Sequence, residues 1–159
     1  PGLTNPISSR NAAERLATEI MGQNTPSDLS FPPATGIRGR SELVLFSDFL
    51  DQNDETVEKM HQLASRGIRG TLVQIIDPAE ESFPYSGRTQ FEDPETRYKF
   101  TSGRAQNLAK DYLTLFAARK DALAEQCSRV GWHHIVHHTD SLASSALVTL
   151  HTRLSGEMA

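Results

Sequence analysis

This chain of 159 residues holds a single cysteine. Cys127 cannot close an internal disulfide by itself, and such sparing use of cysteine fits a reducing compartment. No apolar run approaches the ~20 residues that a membrane-spanning helix needs. No secretory leader is visible. Basic charge is thin as well: Lys and Arg number 16 against 20 Asp and Glu, for a net charge of -4 and a pI of about 5.9. The basic residues are scattered (Arg38, Arg40, Arg66, Arg69, Arg88, Arg97, Arg104, Arg119, Lys120), so no nucleic-acid footprint is suggested. Neither a Gly-x-Gly-x-x-Gly turn nor a phosphate loop occurs, and no Gly-x-Ser-x-Gly elbow supports a serine nucleophile. There is no internal repeat and no low-complexity tract. The chain begins at Pro1-Gly2-Leu3 without an initiator methionine, and is expected to be a piece of a longer, cytoplasmic protein.

What is present is a short apolar run that ends in acid: Leu43-Val44-Leu45-Phe46-Ser47-Asp48-Phe49-Leu50-Asp51. It reads as a buried strand that delivers carboxylates to the carboxyl edge of a sheet. In open α/β sheets that edge is where ligands and metals bind. The pattern returns in Gly70–Ile76, followed by Asp77-Pro78-Ala79-Glu80. A helix between the two makes a strand–helix–strand unit, so both acidic ends should point the same way.

The remaining periodicities fill in a single domain over 1–159, with flexible ends at 1–10 and 155–159. Asn11–Met21 reads as an amphipathic helix with Ala13, Leu16, Ala17, Ile20 and Met21 on one face, Asn11 and Glu14 resembling a capping box, and Gly22 as the stop. A polar link with several Pro and Gly residues covers 23–40. Helix 54–66 turns Val57, Met60, Leu63 and Ala64 inward and ends at Gly67. The stretch 77–101 is too long for a plain connection; Thr89–Phe91 and Arg97–Thr101 are expected to pair as a hairpin around Asp93-Pro94-Glu95. A long helix is expected over Gln106–Arg129, with Leu108, Tyr112, Leu115, Phe116, Leu123, Cys127 and Val130 inward. Trp132–His138 forms a third strand. A last helix starts near Asp140, which caps it, and buries Leu142, Ala146, Leu147, Leu150 and Leu154. This order predicts an α/β fold: a partial doubly wound parallel sheet with helices on both faces and a small hairpin insertion near 89–101. Three strands are few for an independent sheet, which again points to missing strands.

Several of these pieces together resemble one family: the acidic-ended strand 43–51, Ile76-Asp77-Pro78-Ala79-Glu80, Phe83-Pro84-Tyr85-Ser86-Gly87 and Phe91-Glu92-Asp93-Pro94-Glu95-Thr96. Their order and spacing are similar to the C-terminal half of the bacterial domain-of-unknown-function family fifty-eight, from about Asn11 to the end. Members resemble von Willebrand factor A domains and tend to be encoded beside MoxR-type AAA+ ATPases. The resemblance implies a von Willebrand A or Rossmann-like sheet whose first strand carries an Asp-x-Ser-x-Ser metal motif. That motif is absent here, so the chain corresponds to the second half of such a domain. By the same resemblance, Ser47-Asp48 occupies the strand end that contributes the last acidic member of the metal site.

Each candidate residue has a plainer reading. Asp48 can meet a hard cation, and it can equally serve as a turn carboxylate. In this chain the second is preferred; Mg²⁺ at Asp48 is an expectation for the intact protein, and no cofactor is expected in the fragment. Asp77 and Glu80 with Asp48 and Asp51 could form a two-metal constellation, but a turn at Asp77-Pro78 with Glu80 and Glu81 in solvent is preferred. His133 and His137 share one face of their strand and His134 and His138 the other. Imidazoles four residues apart on a strand lie about 13 Å apart, too far to share one metal. His137 and His138 could instead line the ligand edge. Cys127 lies on an apolar helix face, where buried cysteine is usual.

No catalytic residue is assigned, and Ser47, Asp51, Asp77 and Glu80 are ligand-edge candidates only. The preferred function is a protein-interaction module acting with a MoxR-type AAA+ ATPase. It would also pair as a homodimer through the sheet edge left open beside strand 43–47. A rival is a Mg²⁺-dependent phosphohydrolase or nuclease using Asp48, Asp51 and Asp77, weakened by the lack of a Lys or Arg placed to hold phosphate. A receiver-like domain phosphorylated at Asp48 would need an earlier acidic pair that is missing.

Overall fold

The computed structural model describes residues 10–22, 37, 41–50, 54–93 and 96–156. The chain divides into two compact units, Pro1–Pro32 and Pro33–Ala159. In the first, helix α1 spans Ala12–Gly22, and the Arg15 N–H donates to the Asn11 carbonyl at its start. The link 23–36 and 38–40, Asp51, and the expected turn residues Pro94 and Glu95 lie outside the described residues.

The second unit is built on strands β1 (Glu42–Ser47), β2 (Arg69–Ile76) and β5 (His133–His138), all parallel, in the order β1-β2-β5. Helix α2 (Asp54–Ser65) joins β1 to β2. Between β2 and β5 come helix α3 (Pro78–Ser82), the antiparallel hairpin β3 (Thr89–Glu92) and β4 (Lys99–Ser102), and helix α4 (Ala109–Arg129). Helix α5 (Ala143–Leu154) ends the fold. The expected parallel sheet with flanking helices and the small hairpin are therefore present.

Register fixes what each face carries. Leu45, Leu72 and His134 stand side by side, as do Phe46, Val73 and Ile135. Side chains alternate along each strand, so His134 and His138 share a face with Leu72, Gln74 and Ile76. Both crossovers run the same way across the sheet, and the right-handed rule sets α2 and α4 on that face. Lys120 of α4 reaches Glu81, which in turn meets His138. On the opposite face, Arg153 of α5 meets His133. As the middle strand, β2 is buried nearly throughout, with Leu72, Val73 and Ile76 at the centre of the core. Met60 and Leu63 of α2 and Leu123 and Cys127 of α4 are buried with them. Burial pushes the Cys127 thiol up to about 11.

Local chemistry explains the element ends. Gly67 takes φ +77 just past α2, a left-handed conformation that costs glycine little. In the hairpin, Asp93 accepts from the Thr96 hydroxyl at 2.6 Å and from its N–H at 3.3 Å, tying the turn. Three expectations at helices need correction. The long helix begins at Ala109, after a 3-10 turn at Ala105–Asn107, and Leu115 on it is exposed. Asp140 does not cap α5: Leu142 holds that position without a side-chain bond, and Asp140 accepts from Ser141 instead. Of the α5 residues expected inside, only Leu150 is buried; Ala146 is half-buried, and Leu142, Leu147 and Leu154 are exposed.

Candidate functional site

The carboxyl ends of β1 and β2 do lie side by side, as parallel strands require. Past β1 the chain turns sharply. Phe49 adopts φ +53 and is buried, while Asp48 stays exposed. The half-buried Ser47 hydroxyl accepts the Phe49 N–H at 3.1 Å, and Asp48 Oδ1 accepts the Leu50 N–H at 3.2 Å. Positive φ is uncommon for so bulky a residue; two turn bonds and a buried ring hold it here.

Past β2, Asp77 is the N-cap of α3. Its Oδ1 accepts the Ala79 N–H at 2.8 Å, and Glu80 Oε2 accepts the Asp77 N–H at 3.3 Å, a reciprocal capping box with Pro78 at the first helical position. Asp77 Oδ2 accepts from the Thr139 hydroxyl at 3.3 Å, joining the ends of β2 and β5. Helix α3 ends at Phe83, a second phenylalanine at positive φ (+43), whose N–H returns to the Ala79 carbonyl.

Gln74 connects the same ends from below. Its Nε2 donates to the Asp48 carbonyl at 3.1 Å, and its Oε1 lies 3.0 Å from His134 Nε2. That geometry suits a neutral His134 carrying its proton on Nε2. Burial, with the Lys120 charge behind it, lowers the His134 pKa.

The expectation that Glu81 is solvated fails. Lys120 Nζ donates to its Oε1 at 2.6 Å and His138 Nε2 meets its Oε2 at 2.9 Å. Both hydrogen bonds hold the Glu81 carboxyl below its ordinary range, the Lys120 bond more strongly. Glu80 goes the other way: burial raises its pKa, and the nearby Asp48 and Asp77 charges add to this against the Asp77 N–H bond. His138 thus stands at the carboxyl edge, while His137 points from the opposite face.

Asp48, Asp77 and Glu80 come close enough to interact; backbone or hydroxyl donors engage both Asp77 oxygens, Asp48 Oδ1 and Glu80 Oε2. Among the described residues, no three His, Cys, Asp or Glu converge on a point where they could hold a metal ion. A hard cation wants about six oxygen ligands. This donor set, among the described residues, does not fit one by itself.

Beside the acids lies a feature that periodicity did not reveal. Phe83, Tyr85, Phe91 and Tyr112 line an open pocket of about 300 Å³, with Glu80 in its wall. Phe83 stacks on Phe91 at 6.0 Å between centroids and meets Tyr85 edge-on at 5.2 Å. Phe100 extends the stack from Phe91, and Phe116 from Tyr112. The sequence signal was an aromatic in each of α3's end, the hairpin and α4, elements that only the fold brings together.

These features define an α/β domain with a parallel sheet, an acidic carboxyl edge and an adjoining aromatic pocket. The family described as "Protein of unknown function DUF58" matches residues 6–122, and the chain belongs to it. The match ends inside α4, short of the chain end to which the resemblance was expected to run. No curated protein and no solved structure matches the chain.

Proposed function

We propose that this domain is a protein-interaction module, related to von Willebrand A domains, whose carboxyl edge docks a MoxR-type AAA+ ATPase. The observation that carries this reading is the aromatic pocket opening beside the acidic strand ends. Exposed apolar surface next to a ligand edge is what a partner protein buries. The acids beside it serve caps and turns, which suits binding better than catalysis. The partner class follows from family resemblance. In the intact protein, Asp48 is the residue proposed to contribute to a Mg²⁺ site, where a cation short of anionic ligands could accept a partner carboxylate.

Calorimetric titration of the chain with a MoxR-type AAA+ ATPase tests the reading. A saturable complex is expected, weakened about tenfold or more by Tyr85→Ala, since truncated aromatic anchors commonly cost that much. No complex under any nucleotide condition would refute the partner.

A further inference from the structure

Glu80 and Glu81 are neighbours with opposite surroundings. Glu81 is held by Lys120 and His138. Glu80 is half-buried in the wall of the aromatic pocket, and among the described residues no Lys, Arg or His lies within ion-pair distance of it. Among the described residues its carboxylate accepts one hydrogen bond, from the Asp77 N–H to Oε2. A carboxylate in an aromatic wall, with no ion-pair partner among the described residues and Arg119 near enough only to act on Tyr112, selects its occupant. A neutral apolar group would remove water from Glu80 and return nothing. An anion would be repelled. A cation gains twice, from the carboxylate and from the negative ring faces.

Guanidinium fits this chemistry better than ammonium. It is planar, weakly hydrated, stacks on rings and presents a fork of donors to a carboxylate, whereas ammonium keeps a tight water shell. The rim points to a polypeptide as its source. Tyr85 and Leu108 of the lining are exposed, as is Phe100 stacked behind Phe91, an apolar border that a protein surface would cover and a free amino acid would not.

We propose that the pocket receives an arginine side chain of a partner protein, its guanidinium against Glu80 and resting on the lining rings of Tyr85, Phe91 and Tyr112. This rests on the interaction-module reading only for where the arginine comes from.

The test uses the whole chain and three probes: N-acetyl-arginine amide, N-acetyl-lysine amide and N-acetyl-norleucine amide. Binding is read from the aromatic resonances of Phe83, Tyr85, Phe91 and Tyr112. The arginine probe should bind about tenfold tighter than norleucine and tighter than lysine. Glu80→Gln should abolish that preference, and Tyr85→Ala should weaken binding. Glutamine preserves the capping box at this position, so the fold should persist; a thermal melt checks it. If Glu80→Gln fails to fold, the wild-type ranking of probes and Tyr85→Ala decide. Equal binding of norleucine, no saturable binding, or a preference that survives Glu80→Gln would overturn the proposal. Because no ATPase is present, loss of the ATPase complex with arginine binding intact would refute that partner alone. The converse would refute the pocket alone.

Discussion

Gln74 uses both ends of its amide inside the sheet, one on the Asp48 carbonyl and one on His134. This ties the acidic turn after β1 to β5, and it makes the site sensitive to His134 protonation. The His134 pKa is lowered from 6.5, so just below that value the unfolded chain binds more protons than the folded one. Stability therefore rises with pH across that window. Thermal melts from about pH 7 to about pH 5 should show a falling midpoint, and His134→Gln should flatten the slope; parallel slopes would contradict this assignment. Gly70 shows a different constraint. A methyl group there would run into the Trp132 ring, which is buried and donates its Nε1–H to the Ile68 carbonyl at 3.0 Å. Gly70→Ala should cost about 1–3 kcal/mol in denaturant unfolding, the usual range for overpacking.

Helix α3 is five residues long, too short to stand on propensity, and its capping box holds it. Asp77→Ala should cost about 1 kcal/mol in chemical unfolding, and should disturb the pocket wall, because Glu80 and Phe83 both depend on α3. Strand β1 presents the opposite problem. It pairs with β2 on one side, and among the described residues no strand pairs with its other side. Phe46 on it is 56% exposed. Open strand edges template pairing with another chain, so sedimentation over a dilution series should show reversible self-association. A monomer at every concentration, with the β1 amides protected from exchange, would show the edge to be covered. The elements themselves were largely legible in the sequence. Apolar runs ending in acid marked β1 and β2, Gly67 marked the end of α2, and Asp93-Pro94-Glu95 marked the hairpin. Helix α5 was misread because spacing at Leu142, Leu147 and Leu154 defines a face but does not supply a surface to bury it.

At the scale of the molecule, the parallel order β1-β2-β5 brings the acidic ends together, as the strand-then-acid pattern implied. Other parts of the site could not be read that way. The Lys120–Glu81 and His138–Glu81 contacts join residues 39 and 57 apart. The aromatic pocket draws on α3, β3 and the first turns of α4 at once. Such sites emerge from topology, and local periodicity carries no trace of them. On the proposed reading, the carboxyl edge and its aromatic pocket form a docking surface for another protein. Hydrogen exchange of the chain with and without the MoxR-type ATPase tests it most directly. Docking there should slow exchange only at residues 47–50, 77–92 and 104–116. Unchanged exchange, or protection only at the opposite edge around Arg69 and Gly131, would contradict it.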